Sequence, residues 1–365
     1  MTDTRSLYIG LMSGTSLDGV DGVLADFSNG AIQTVAAAFA PFPAELRSEL
    51  MALQAASHNE LEREALAANG LALAYAECVR ALLPSSPGPV AAVAVHGQTI
   101  RHRPERGFTR QTNNPALLAE LTGLDVIADF RSRDIAAGGQ GAPLVPAFHD
   151  AAFGKPGTAR VVVNIGGIGN ISVLHGDGRV TGFDTGPGNV LMDLWIGHHQ
   201  GRAYDEDGVW AASGVVHQPL LKQLLDEPYF SQPAPKSTGR DLFHEPWLNA
   251  RLAQFGDVAP NDVQATLTQL TAGTIARAIV DQGVTPDAVY VCGGGAYNSA
   301  LLRAISTELG GVKVASTTEL GVAPNRVEAL AFAWLGWRFA NREPGNLPAV
   351  TGARGLRILG ALYPA

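Results

Sequence analysis

Asp184 is the residue of this chain most easily given a chemical task. It stands in Gly182-Phe183-Asp184-Thr185-Gly186-Pro187-Gly188-Asn189, where one carboxylate sits among residues whose side chains keep out of its way. A simple turn does not need Gly, Pro and Gly directly after its acid. The apolar stretch from Val190 to Ile196 reads as a helix with Asn189 as its N-cap. Upstream, Val161-Val162-Val163-Asn164-Ile165 and Ile171-Ser172-Val173-Leu174 flank Gly166-Gly167-Ile168-Gly169-Asn170. That pattern predicts two strands joined by a tight glycine turn. A bare hairpin tip, an acid and a helix N-terminus suit a site where an anion meets a base. Any one glycine-rich loop, taken alone, is more often only a turn.

The chain opens in the same way. The strand Leu7 to Met12 leads into Ser13-Gly14-Thr15-Ser16-Leu17-Asp18-Gly19, and a second strand begins at Val20-Asp21-Gly22. A third glycine turn, Gly293-Gly294-Gly295, follows the apolar run Ala288 to Cys292. Three such turns after strands could expose backbone amides to phosphate. None matches the P-loop pattern, and Gly167-Ile168-Gly169 lacks the further glycine of a dinucleotide fingerprint. A nucleotide site here must therefore belong to another fold. Asp18 and Asp21 flank the first turn, where Asp is favoured for local hydrogen bonding; the alternative is that they hold Mg2+ through water beside nucleotide phosphates.

Two further strand ends carry polar groups. The run Val90 to Val95 delivers His96 and Gln98, and the run Asp125 to Ala128 delivers Asp129 and Arg131. In open α/β sheets ligands sit at that edge. His96 reads as a ligand or base, or equally as a satisfied histidine at a strand end. Arg131 reads as a grip for a substrate carboxylate or as a surface ion pair. His198 and His199 are adjacent and so point to different sides of a helix, which argues against a metal site. Ser16 lies outside any nucleophile-elbow pattern.

The elements that must position these groups alternate between strand and helix, which indicates an α/β fold with mixed sheets. A long helix is predicted over residues 59–83, with Leu61, Ala65, Ala68, Ala72, Tyr75, Val79 and Leu82 on one face. Others are predicted over residues 261–282 and 324–341. The chain has 365 residues, enough for two cores, and Gly154-Lys155-Pro156-Gly157 reads as a boundary between residues 1–155 and 156–365. The last helix is free to pack back across that boundary. Hydrophobic residues make up 46% and charged residues 16%, which excludes a disordered chain. A net charge of −8 offers no footprint for nucleic acid or an acidic membrane. Cys78 and Cys292, the only cysteines, cannot build a thiolate metal site. The first residues lack the pattern of a secretory signal and no window approaches 18 uninterrupted apolar residues, so a cytoplasmic protein is expected.

Taken together, several blocks resemble the anhydro-N-acetylmuramic acid kinase family. They are Leu11-Met12-Ser13-Gly14-Thr15-Ser16-Leu17-Asp18-Gly19-Val20-Asp21, His96-Gly97-Gln98-Thr99, Ala128-Asp129-Phe130-Arg131, Gly138-Gly139-Gln140-Gly141-Ala142-Pro143, Asn164-Ile165-Gly166-Gly167, the Asp184 stretch, Pro235-Lys236-Ser237-Thr238-Gly239-Arg240 and Cys292-Gly293-Gly294-Gly295-Ala296. The resemblance implies the two-domain, ribonuclease H-like fold of acetate kinase, sugar kinases, heat-shock chaperones and actin, with ATP in the interdomain cleft. It implies a homodimeric enzyme of cell-wall recycling that uses ATP and water to turn an anhydro amino sugar into N-acetylmuramic acid 6-phosphate. By the same resemblance Gly14, Thr15, Ser16, Leu17, Asp18, Gly19, Val20 and Asp21 bind ATP phosphates. Gly166, Gly167 and Asn170 form the second phosphate hairpin, and Gly293, Gly294 and Gly295 lie near the adenosine. Asp184 matches the catalytic base. His96, Gln98, Asp129 and Arg131 are expected to line the sugar side. An ordinary hexose kinase and a non-metabolic ATPase are the rival readings.

Overall fold

The computed structural model describes residues 6–14 and 16–365, so Thr15 of the first turn lies outside the described residues. The chain forms two compact units: Met1–Phe148 with Asn325–Ala365, and His149–Pro324. The helix predicted near residue 324 and all that follows it are thus part of the first unit.

In the first unit, β1 (Leu7–Met12), β2 (Gly19–Asp26) and β3 (Gln33–Pro41) form an antiparallel meander. Next, β4 (Ala92–Val95) lies parallel to β1. A hairpin of β5 (Gln98–Arg103) and β6 (Phe108–Thr112) stands apart from the main sheet. Beyond it, β7 (Val126–Ala128) lies parallel to β4. In the second unit, β8 (Arg160–Ile165), β9 (Ile168–Leu174) and β10 (Val180–Pro187) repeat the antiparallel meander. There β11 (Ala288–Cys292) runs parallel to β8, and β12 (Val314–Ser316) parallel to β11. A short β13 (Ala361–Tyr363) finally returns to the first sheet, antiparallel to β7. The sheet orders are β13-β7-β4-β1-β2-β3 and β10-β9-β8-β11-β12. Leaving β13 aside, the two orders are the same: three meander strands, then two parallel ones.

The inner strands of each sheet are apolar on both faces, so helices must supply the second layer. The Glu60–Leu82 helix packs against β2 and β3. Its buried residues run from Ala67 to Leu82, whereas Leu61, expected on the core face, is 85% exposed. The apolar periodicity holds from Ala67 onward, where the buried residues fall. This segment is long and apolar enough to cross a membrane by length and composition alone; its inner face is instead core, around Tyr75 and Leu71. Cys78 is buried on the same helix and Cys292 is buried in β11. In the second unit the Pro260–Val280 helix covers β9 and β10, with Leu267, Leu270 and Ile275 in the core.

The Val327–Ala340 helix lies against β1, β2 and β4. It approaches β1 at Gly10, where a Cβ would fall 1.9 Å from the Ala329 carbonyl oxygen and 2.4 Å from the Ala333 nitrogen. Both neighbours are backbone and cannot swing aside. Gly10→Ala must therefore push the helix off the sheet, at a cost of about 3 kcal/mol. The expected outcome is a lowered thermal midpoint; an unchanged midpoint would show that the contact is not a packing constraint.

Candidate functional site

In the second unit, Asp184 lies within β10, a strand that the run of Gly and Pro residues had disguised as a loop. Those residues are tolerated because β10 is the edge of its sheet. The register shifts between Asp184 and Gly186, a bulge of the kind that re-aims a side chain. Directly opposite Asp184 is Asn170 on β9, and opposite Asn170 is Asn164 on β8. Residues opposed in this way share a face, so the acid ends a polar row across three strands.

The open edge of β10 is closed by residues 229–238. Asp184 donates its N–H to the Lys236 carbonyl at 3.3 Å. Its Oδ2 accepts the Thr238 N–H at 3.0 Å, and its carbonyl accepts the Tyr229 hydroxyl at 2.6 Å. Burial, and then the Asp184 charge, hold the Tyr229 phenol far above its ordinary range, so it stays a donor. Lys236 donates to the Tyr229 and Phe230 carbonyls at 3.1 and 3.2 Å and lies over the Tyr229 and Phe183 rings. Burial, followed by Arg277, lowers its pKa. Asp184 is itself only 8% exposed. The Thr238 N–H thus fixes the orientation of a carboxylate that is otherwise enclosed by protein.

The glycine turns of this unit also meet. Gly166 and Gly167 offer carbonyls to the N–H groups of Gly188, Asn189 and Val190 at 2.8 to 3.1 Å. Asn189 does occupy the helix N-cap, yet its side chain makes no cap; its amide reaches the Ile165 carbonyl at 3.2 Å. The amides of Gly188, Asn189 and Val190, leading into this helix, are therefore taken up by the hairpin. Gly188 has a structural reason to be glycine, since a Cβ there would stand 2.4 Å from the Gly166 oxygen. Gly293, Gly294 and Gly295 follow β11 beside the same turn: a Cβ on Gly293 would come within 2.5 Å of Asn164 Oδ1, and one on Gly295 within 2.4 Å of Ile165 Cγ2. Among the described residues, Asn164 Oδ1 and Asn170 Oδ1 are buried without a hydrogen-bond partner.

In the first unit, Gly14 and Ser16 lie in the exposed turn after β1, while the Leu17 and Val20 side chains are in the core. Any role of those two in binding must come through backbone. Gly19 opens β2 opposite Pro41. Asp18 faces solvent and pairs with Arg47 at 3.2 Å. Asp21 sits in β2, where burial, then Glu328 and Asp18, push its carboxyl up to about 6 against the pull of Arg326. Glu328 was not anticipated as a neighbour, because it is about 300 residues distant in sequence. Gln98 is buried and donates to the Gly14 carbonyl at 3.2 Å, which ties the β4 end to the first turn. His96 is buried against Phe332, with ring centroids 4.7 Å apart. Burial and the Arg131 charge hold its pKa well below the usual value, so the ring is neutral and its Nε2 accepts the Arg131 Nε–H at 2.9 Å. Asp129, exposed after β7, has φ of +58°, a conformation that costs energy for a residue with a Cβ. The residues His96, Gln98, Arg131 and the first turn are thus one connected cluster. His198 pairs with Glu245, and no group of three metal-ligating side chains occurs among the described residues.

Two ribonuclease H-like units in one chain, each with a glycine turn after its first strand, define the class: the two-domain α/β fold shared by acetate and sugar kinases, chaperone ATPases and actin. Within it, the model of the family described as anhydro-N-acetylmuramic acid kinase matches residues 6–365, and the chain belongs to that family. It is 58% identical over 367 residues to the anhydro-N-acetylmuramic acid kinase of Burkholderia lata, covering 98% of this chain and 96% of the relative. To that of Paraburkholderia xenovorans it is 57% identical, with 98% of each covered. Among solved structures, the activator of the 2-hydroxyisocaproyl-CoA dehydratase from Clostridium difficile with bound ADPNP aligns with 92% of this chain and 96% of its own, at 14% identity and a TM-score of 0.47.

Sequence reasoning missed Tyr229, Lys236 and Thr238 as the setting of Asp184. The signal was there in Pro235-Lys236-Ser237-Thr238-Gly239-Arg240, but nothing local says that this loop returns to an edge strand. Asp21 supplies the prediction. Its folded pKa, about 6, is above the ordinary 3.8, so between those values the folded protein holds the extra proton. Stability must then fall as pH rises from about 4 to about 6 and stay lower above that, by up to about 3 kcal/mol. Asp21→Asn removes this penalty: it should raise the melting temperature at pH 7 and give no gain at pH 4. Equal effects at the two pH values would contradict the assignment.

Proposed function

We propose that the chain is an ATP-dependent kinase that opens 1,6-anhydro-N-acetylmuramic acid with water and phosphorylates O6, giving N-acetylmuramic acid 6-phosphate. The observation that carries the reading is the family match over residues 6–365; the buried carboxylate of Asp184, held by the Thr238 N–H, supports it. Asp184 takes a proton from water as the water oxygen bonds to the anomeric carbon. The C1–O6 bond breaks, O6 attacks the γ-phosphorus of ATP, and ADP leaves. A glycosidase that inverts needs a second carboxyl to protonate its leaving oxygen; here the phosphoryl group captures that oxygen, so one acid is enough. The Thr238 N–H holds the carboxylate in one orientation, and a general base must be held within reach of the proton it takes.

Backbone at Gly14 to Asp21 and at the Gly166–Gly167 turn is assigned to the phosphates, and Gly293 to Gly295 to the adenosine side. Mg2+ fits Asp21, a carboxyl whose pKa is raised by burial and then by the neighbouring Glu328 and Asp18 charges, against the pull of Arg326. With no group of three ligating side chains among the described residues, the residues suit an ion held mainly through water and phosphate. Bound there, Mg2+ would neutralise phosphate charge. Arg131 is assigned to the lactyl carboxylate of the sugar, with Gln98 and Asp129 nearby. A cytoplasmic location and a homodimer complete the proposal.

Two measurements test it. Turnover in ¹⁸O-labelled water should place the label at C1 of the product, and an unlabelled product would overturn the hydrolytic step. Asp184→Asn should cut kcat by about 10⁴-fold or more while ATP still binds, because the amide keeps the shape and loses the basicity. An ordinary hexose kinase would instead release ADP with glucose and ignore the anhydro sugar.

A further inference from the structure

Asp134 plays no part in the chemistry above, yet it is fully buried and its carboxylate is bonded at both oxygens. Its Oδ2 accepts the Gly141 N–H at 2.8 Å. Its Oδ1 accepts the Asn346 amide at 2.7 Å and the Thr351 hydroxyl at 2.8 Å. These three donors are neutral. They join the glycine loop after the Ser132–Ala136 helix to a segment more than 200 residues further on, and the Gln140 N–H adds a bond to the Thr351 carbonyl at 2.7 Å. Burying a charge this completely is costly unless every bond is made. That expense needs a reason beyond holding a surface loop.

The reason lies on the other side of Gly141. Its carbonyl accepts the Arg131 Nη1–H at 2.6 Å, while His96 takes the Nε–H of the same guanidinium. The N–H of Gly141 is fixed by Asp134 and its carbonyl fixes Arg131, so one residue transmits the position of the buried carboxylate to the arginine. We infer that Asp134, braced by Asn346 and Thr351, is a positioning residue that sets the Arg131 fork for the carboxylate of the sugar. The C-terminal segment is then a working part of the specificity site. A planar guanidinium binds a carboxylate in a fixed bidentate geometry, and a displacement on the order of 1 Å is enough to lose it.

This inference rests on the reading of Arg131 given above, and the experiment separates the two. The quantity measured is the ratio of kcat/KM for 1,6-anhydro-N-acetylmuramic acid to that for 1,6-anhydro-N-acetylglucosamine, which lacks the lactyl carboxylate. A ratio within one preparation does not depend on how much of it is folded. Arg131→Lys should reduce the ratio about ten- to a hundredfold. If it does not, the Arg131 reading fails, and the inference with it. Asp134→Asn puts an amide donor against existing donors and should reduce the ratio by a similar factor, with the KM for ATP unchanged. In the double variant the two losses should not add. Thr351→Val, which removes one donor at constant shape, should give a smaller loss in the same direction and serves if Asp134→Asn does not fold. If Arg131→Lys lowers the ratio while Asp134→Asn and Thr351→Val leave it at the wild-type value, Asp134 is structural only and the inference is overturned.

Discussion

A carboxylate buried as deeply as that of Asp184 needs donors brought to it, and the edge position of β10 is what makes room for them. A central strand would have both backbone edges committed to neighbours, leaving no route for a loop to reach the acid. On β10 one edge pairs with β9 and the other receives the Lys236 carbonyl. That single contact brings Thr238 to the carboxylate. The edge is thereby closed against other strands while the acid gains its donor. Lys236 is held by carbonyls and rings in turn, so the geometry of Asp184 depends on a loop that lies about 50 residues downstream.

The first unit solves a different problem with the same strand order. Its meander also ends on an edge strand, β3, but β3 is half-exposed and ends at Pro41, with Phe39 55% exposed. No candidate residue lies on it. The polar groups come instead from the carboxyl ends of β4 and β7 and from the first turn, where Arg131 donates to His96 and Gln98 donates to the Gly14 carbonyl. One topology thus supports two kinds of site. Where the edge strand is covered a buried acid sits on it, and where it is bare the buried polar groups gather at the parallel strand ends.

What could be read from the amino-acid sequence divides along physical lines. Alternating strands and helices, the two glycine-tipped hairpins and the long apolar helices were legible because they arise from local periodicity and turn chemistry. Asp184 was legible through its unusual neighbours, although its strand was not: Gly182, Gly186 and Pro187 speak for a loop wherever the partner that tolerates them is unseen. Glu328 beside Asp21, Thr238 beside Asp184 and Asn346 beside Asp134 depend on pairings between distant segments, and a single sequence holds no signal for those. The short strand Ala361–Tyr363 was missed for the same reason; exposed and three residues long, it exists only because β7 offers an unpaired edge.

The tail of the chain shows most clearly how far such pairing reaches. Asn346 bonds to Asp134 through its Nδ2 and receives the Arg357 N–H on its Oδ1 at 2.6 Å, while the Arg354 N–H reaches the Ala137 carbonyl at 2.9 Å. A segment with little regular structure is fixed because its polar groups find partners in the glycine loop rather than in water. Glycines let that loop wrap the carboxylate closely: a Cβ on Gly139 would stand 2.2 Å from Asp134 Oδ2. The loop could not hold this shape by its own propensities, nor could the tail. Each supplies the hydrogen bonds that the other lacks, and Arg131 is anchored at the point where they join.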